Sequence, residues 1–260
     1  MIDIHNHILP GLDDGSPHED VTAFYIDRVV EAKMEGIVFT PHYMRGFYNN
    51  TKDKILDVYQ RTRQIIERKG YILNTYCAAE IYLVGNESID DIQINSFMIN
   101  GSRYVLVENS LTGFSYDLYE NLYKLGKLGF KPILAHPERY VEIKEKPLLA
   151  EEFMHRDVYL QINTGSLLGL YGNRVKDVSF ELIDRGYAHF LGTDCHCQNG
   201  VYDFPEAIDV LRKIFGDKTA DLLGVEYPQK MLNNEDLPHF YNHKQQIPLK
   251  KNFFQRLFKL

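Results

Sequence analysis

Seven short apolar runs, near positions 1–7, 36–42, 71–80, 103–108, 131–136, 157–163 and 187–194, alternate with longer segments of helical pattern. The runs are rich in β-branched and aromatic residues, as strands are. Of the segments between them, 17–35 opens with Ser16, Pro17 and Glu19 in capping-box order, and 115–128 carries Leu118, Leu122, Leu125 and Leu128 at helical spacing. Strands alternating with helices favour a parallel sheet, and seven in succession favour a closed or nearly closed sheet over an open one. The expected fold is α/β, a distorted seven-stranded (β/α) barrel related to the TIM barrel. A chain of 260 residues, 44% hydrophobic and 25% charged, can bury one such core. No Pro-, Gly- or Ser-rich linker divides it, so a single domain over 1–260 is expected.

The polar residues fall in phase with this pattern. Six runs end in a side chain able to ligate a metal, namely His7, His42, Glu80, Glu108, His136 and Asp194; the run ending near Asn163 does not. In a barrel the C-terminal strand ends share one face, so residues far apart in sequence converge there.

Within the first run, Ile2-Asp3-Ile4-His5-Asn6-His7, a period of two sets His5 and His7 on one side, where both imidazoles can meet one cation. In the loop that follows, Asp14 can reach back as a ligand and Asp13 is read as shaping the turn, with a plain turn former the alternative for either. Pro41 ends pairing just before His42. Glu80 follows Ala78-Ala79 and Glu108 follows Leu106-Val107, so each is expected to be buried and to need a cation. His136 is followed three residues on by Arg139, whose planar fork suits a bidentate phosphate clamp; an ion pair with Glu138 or Glu142 is the plainer reading. Asp194 and His196 share a side of the last run.

Five histidines and four acids are too many for one tetrahedral zinc site and suit two or three cations. A nitrogen and oxygen set without thiolates points to Mn, Fe, Zn or Mg. Clustered cations of this kind lower the pKa of bound water towards ~7 and clamp the oxygens of an in-line displacement at phosphorus, which makes phosphoester hydrolysis the leading chemistry. His196-Cys197 opens like a cysteine-phosphatase loop, but Val201 and Asp203 stand where an arginine would have to follow Cys195 or Cys197. The thiols are therefore read as buried and structural.

A formal net charge of −7 with scattered basic residues does not support a nucleic-acid groove. Three cysteines, Cys77, Cys195 and Cys197, lack disulfide-like spacing, and the polar opening MIDIHNH does not read as a signal peptide, so a reducing, cytoplasmic setting is expected. No apolar run is long enough to cross a bilayer.

These motifs together resemble a known family: the polymerase and histidinol phosphatase (PHP) superfamily, and within it the manganese-dependent tyrosine-protein phosphatases of bacterial capsule and exopolysaccharide loci. The match is carried by DIHNHILPGLDDGS at 3–16, TPHY at 40–43, AAEIYL at 78–83, LVE at 106–108, AHPERY at 135–140, QINTGSLLG at 161–169 and GTDCH at 192–196. The resemblance implies a PHP-like barrel with three divalent metal ions, Mn first and Fe, Zn or Mg as alternatives. It assigns His5, His7 and Asp194 to one ion, Glu108 and His136 to a second, and Asp14, His42 and His196 to a third, with Glu80 bridging the first two. Arg139 would hold the phosphoryl oxygens as the catalytic and substrate-binding arginine. The implied substrate is the phosphotyrosine tail of a membrane-bound bacterial tyrosine kinase that controls capsular or exopolysaccharide synthesis. Family members often carry a second arginine after the last strand, where this chain reads CQNGVYDFPEA; Arg45, beyond His42, is the candidate substitute.

The tail Leu249 to Leu260 is basic and aromatic and could touch the inner face of a membrane, or dock on the barrel as a terminal helix. Two further readings of the site stand beside the protein phosphatase: a small-molecule phosphatase of histidinol-phosphate type, and a non-catalytic metal module that binds phosphotyrosine.

Overall fold

The computed structural model describes residues 1–83 and 97–238. The tail at 249–260 lies outside them. Nine strands occur among the described residues: β1 (Ile2–Asp3), β2 (Gly36–Phe39), β3 (His42–Tyr43), β4 (Asn74–Cys77), β5 (Glu80–Tyr82), β6 (Tyr104–Glu108), β7 (Lys131–Ala135), β8 (Tyr159–Asn163) and β9 (Phe190–Gly192). They form a three-stranded sheet, β1-β2-β4, and a six-stranded sheet, β3-β5-β6-β7-β8-β9, with every pairing parallel.

The expected count of seven strands is not what the chain shows, because the second and third runs each break once. Pro41 has no N–H to offer the ladder, and the break falls beside it. Two bonds carry the chains past the gap, Ala78 N–H to Phe39 O (2.8 Å) and Glu80 N–H to Pro41 O (3.1 Å). On the other flank Asn6 and Cys195 make an isolated parallel bridge, with Asp194 N–H donating to His5 O (2.8 Å) and His7 N–H to Cys195 O (3.0 Å). Gly192 is required at this contact. A Cβ there would stand 2.5 Å from His5 Cβ and 2.9 Å from Gln161 Nε2.

The longer helices are α1 (Glu19–Glu31), α2 (Lys52–Arg68), α3 (Leu118–Lys127), α4 (Asn173–Asp184) and α5 (Phe204–Phe215). The capping box expected at Ser16 does not form. His18 is the N-cap and makes no side-chain cap bond, while Ser16 Oγ donates to His18 O (3.1 Å) and pairs with Thr22 Oγ1 (2.8 Å), pinning the loop to the first turn instead. α3 buries Leu118, Leu122 and Leu125 as their spacing requires, whereas Leu128 ends the helix exposed. Strands buried on both faces, such as Val105-Leu106-Val107 and Ile133-Leu134-Ala135, form the centre of the core.

Candidate metal centre

His5 and His7 lie just beyond β1, both fully buried. His5 Nδ1 is 2.8 Å from Gln161 Oε1 on β8, and His7 Nδ1 is 2.8 Å from Asp13 Oδ2 in the loop before α1. Both partners are acceptors, which sets the proton of each neutral ring on Nδ1 and turns the Nε2 lone pairs inward. The two Nε2 atoms are 3.2 Å apart. Glu80 Oε2, from β5, stands 3.2 Å and 3.3 Å from them, and Asp194 Oδ1 stands 3.6 Å and 3.3 Å.

The register of β3 on β5 sets His42 beside Glu80. His42 Nδ1 is 3.0 Å from Glu80 Oε2 and 3.1 Å from Glu108 Oε1, while its Nε2 is 3.6 Å from Asp14 Oδ1. The same Asp14 oxygen is 3.6 Å from His196 Nε2. His136 Nε2 is 3.2 Å from Glu80 Oε1 and 3.8 Å from Glu108 Oε2. All nine side chains singled out in the sequence as ligand candidates thus meet in one cluster.

Three overlapping groups could each hold an ion: His7, Asp14, His42 and His196; His5, His7 and Glu80; and His42, Glu80 and Glu108. Around a cation with ligands at about 2.0–2.2 Å, neighbouring ligand atoms stand roughly 3.0–3.5 Å apart; the pairs here lie between 3.0 Å and 3.8 Å. His42 Nδ1 and Glu80 Oε2 are moreover buried without a hydrogen-bond partner, so both offer a lone pair or proton to the centre of the cluster. The residues fit divalent cations.

The electrostatics agree. Burial lowers the basicity of His5, His7 and His42, but the carboxylates around them more than offset it, and Glu80 and Glu108 carry His42 up to about 10. Burial raises Glu80 and Asp194, yet the imidazoles hold both well below the usual carboxylate range. Glu108 goes the other way, pushed up by burial and by Glu80. Protons on imidazole thus balance the buried acids wherever no cation does so.

Two of the side chains arrive from left-handed backbone: His136 (φ 36°) just after β7, and Asp194 (φ 52°) just after β9. The expected period of two across Asp194 and His196 is therefore not a strand period, since β9 ends at Gly192. The turn brings them together, with His196 Nδ1 2.8 Å from the Asp194 carbonyl and 3.4 Å from its Oδ1.

Arg139 donates from an Nη to Asp194 Oδ2 (2.7 Å) and lies over the Tyr171 ring at 4.4 Å. Its plainer partners are engaged elsewhere: Glu138 accepts from Asn163 N–H (3.0 Å) and Ser166 Oγ (2.6 Å), and Glu142 from Phe114 N–H (2.7 Å). Arg139 lines a cavity of about 300 Å³ together with Asp14, His42, Glu108, His136, Asp194 and His196. Arg45 is not brought to that lining. It is exposed on the turn between Met44 and Tyr48. The cysteines, expected to be buried, are free and half-buried, and Cys195 and Cys197 line a second cavity beside Arg139.

Several residues of the site went unread in the sequence. Asp13 does more than shape its turn: besides His7 it accepts from His42 N–H (2.8 Å) and Gly15 N–H (3.0 Å). Gln161 orients His5 and donates to Asn163 Oδ1 (2.9 Å), and Asn163 in turn donates to Asp194 Oδ2 (2.8 Å). The signal for this pair was the same period of two on the one run that lacked a ligand. Asp3 accepts from Thr193 N–H (3.0 Å), Thr193 Oγ1 (2.7 Å) and Tyr202 OH (3.0 Å), which holds the turn carrying Asp194 against β1.

Parallel strands that deliver clustered imidazoles and carboxylates to their C-terminal ends, with an arginine beside them, define the class as an α/β metal-dependent hydrolase. The chain belongs to the CpsB/CapC family of capsular polysaccharide synthesis, whose sequence profile matches residues 1–233. It is 29% identical over 238 residues to the tyrosine-protein phosphatase YwqE of Bacillus subtilis, covering 91% of this chain and 93% of that one. Against the putative tyrosine-protein phosphatase CapC of Staphylococcus aureus it is 33% identical over 198 residues, 75% of this chain and 77% of the relative. A solved structure from work on YwqE and on CpsB of Streptococcus pneumoniae, described as unique metal-dependent tyrosine phosphatases, matches with a TM-score of 0.85 at 28% identity, covering 92% of this chain and 97% of that one.

Proposed function

We propose that this protein is a metal-dependent tyrosine-protein phosphatase that hydrolyses phosphotyrosine on a bacterial tyrosine kinase regulating capsular or exopolysaccharide synthesis. The observation that carries the reading is the convergence of nine ligand-type side chains in one cluster, six of them lining one cavity with Arg139, in a chain whose relatives bear that name. The nine ligands proposed are His5, His7, Asp14, His42, Glu80, Glu108, His136, Asp194 and His196, holding three divalent ions with Mn the first candidate, in a barrel of seven runs within a single domain.

Cations bound there would supply Lewis-acid polarisation of the phosphoryl group and a nucleophile from water at neutral pH. The chain's own groups do the rest. Arg139, kept cationic by Asp194 despite its burial, is placed to take phosphoryl oxygens in a bidentate, charge-assisted grip. Tyr171, packed on its face, restricts where the fork can swing. A phenol of pKa ~10 leaves as phenolate without prior protonation, so a tyrosyl ester depends less on a general acid than an alkyl one does. Arg45, on the rim turn, is proposed as a second contact to the phosphoryl group.

The test is hydrolysis of a phosphotyrosine peptide and of histidinol phosphate by protein stripped of metal and then resupplied with Mn, in parallel with His136→Ala. Peptide turnover that needs metal and is lost in the variant is expected. Turnover of histidinol phosphate alone would move the protein to the small-molecule class, and turnover of neither would make it a binding module.

A further inference from the structure

A metal cluster grips any phosphoryl group, so what distinguishes one ester from another has to come from the walls beside it. Arg139, Asp194 and His196 line two adjoining cavities. One of them is faced with Gln198, Asn199 and Asp203, whose acid repels a phosphate, and with Leu170, Tyr171 and Val201, of which Tyr171 already carries the Arg139 guanidinium over its ring. The other contains Asp14, His42, Glu108 and His136 on its polar side and Met44, Tyr48, Tyr82 and Leu111 on its apolar side.

The apolar side is held in place by the backbone. Met44 and Tyr48 exchange hydrogen bonds in an antiparallel bridge, Met44 N–H to Tyr48 O (3.1 Å) and Tyr48 N–H to Met44 O (2.8 Å), across a turn that needs the positive φ of Gly46 (84°). Tyr48 is thereby laid parallel to the His42 imidazole, 5.6 Å between ring centres and 12° between planes. Tyr82 projects from the end of β5, two residues past Glu80, and Leu111 from the loop after β6, so three different strand ends build one wall. All four side chains are half-buried, which leaves surface that a ligand can cover. At about 300 Å³ the space is at the small end for ligand cavities, suited to one ring and its phosphoryl group.

We infer that Met44, Tyr48, Tyr82 and Leu111 form the subsite for the aromatic ring of the ester, making Tyr48 and Tyr82 the residues that select aryl over alkyl phosphates. The inference rests on the phosphatase reading above. The ring enters between the Tyr48 face and Leu111 while its phosphoryl group meets Arg139 and the ligand cluster. Offset or edge contacts between aromatic rings favour this entry, and sulfur of Met44 adds to them.

The experiment compares kcat/KM for phenyl phosphate and glycerol phosphate in the Mn-loaded protein and in Tyr48→Ala, Tyr48→Phe, Tyr82→Ala and Val201→Ser. Binding of phenylphosphonate and methylphosphonate is measured beside it by calorimetry. Losing one ring contact is expected to lower the aryl-to-alkyl preference about tenfold in Tyr48→Ala and severalfold in Tyr82→Ala, mainly through KM, with a matching loss for phenylphosphonate alone. Tyr48→Phe keeps the ring and should keep the preference. An equal loss on both esters would mean that Tyr48 only steadies His42, and a changed preference in Val201→Ser would put the ring in the other cavity; either overturns the subsite. No turnover of either ester by the wild type would instead remove the phosphatase reading, and the subsite with it.

Discussion

At the scale of single residues, the cluster is governed by which nitrogen of each histidine faces it. Asp13 and Gln161 never touch the shared centre, yet by accepting at Nδ1 they aim the Nε2 atoms of His7 and His5. Removing such an orienting partner typically costs 10–100-fold in metal affinity, so Asp13→Ala is expected to weaken Mn binding by about that factor, read by calorimetric titration; unchanged affinity would remove Asp13 from the centre. Proton linkage gives a second outcome at this scale. His42 is lifted to about 10 by Glu80 and Glu108 against the pull of burial, so at neutral pH it holds a proton that an incoming cation must displace. Binding should therefore release protons, and affinity should rise between pH 6 and pH 8 because the competing proton is then scarcer. Titrations in buffers of different ionisation enthalpy count the protons, and proton uptake would contradict the assignment. Arg45→Ala, finally, is expected to raise KM for a phosphotyrosine peptide severalfold; identical kinetics would leave Arg139 as the one arginine of the pair with a role.

At the scale of elements, the critical contact is where β9 meets the segment after β1, because it unites His5 and His7 with Asp194 and His196 across almost the whole sequence. Gly192 makes that approach possible, and the buried Asp3 ties it down through Thr193 and Tyr202. Forcing a methyl group against His5 should cost about 1–3 kcal/mol of stability, so Gly192→Ala is expected to lower the thermal midpoint by several degrees and to weaken metal binding with it. A variant as stable as the parent, with normal metal affinity, would show that the two segments can part without harm. The breaks of the second run at Thr40-Pro41 and of the third at Ala78-Ala79 work in the same direction. They free His42 and Glu80 from the regular ladder of β2 and β4 and let them pair again as β3 and β5, in register with each other.

At the scale of the whole molecule, the fold collects buried acids whose charge is balanced by protonated imidazoles wherever no cation does so. Glu80 and Asp194 are held ionised by imidazolium neighbours, and a divalent ion would replace that balance with a stronger one. Ligand linkage at a hundredfold excess over Kd is worth about 2.7 kcal/mol per site, so chelation should lower the thermal midpoint by several degrees and Mn should restore it. A midpoint insensitive to both would count against resident cations. No helix among the described residues is long and apolar enough to cross a membrane.

Much of the site could be read from the chain because its signals are local. Strand runs, their period of two and the residue at each run's end are set by backbone geometry within a few positions, and that phase points to eight of the nine ligand candidates, while Asp14 and Arg139 are read from the loops beyond the run ends. What a linear pattern does not contain is how distant segments face one another. That Asp13 meets His7 and Gln161 meets His5, that left-handed turns deliver His136 and Asp194, that Arg45 stays on the rim, and that Tyr48 and Tyr82 wall the cavity are decided only when the strands curl and their ends approach. Ring orientation and side-chain contact depend on neighbours up to 199 positions away, such as Asp3 and Tyr202, and only the packed sheet brings those neighbours within bonding distance.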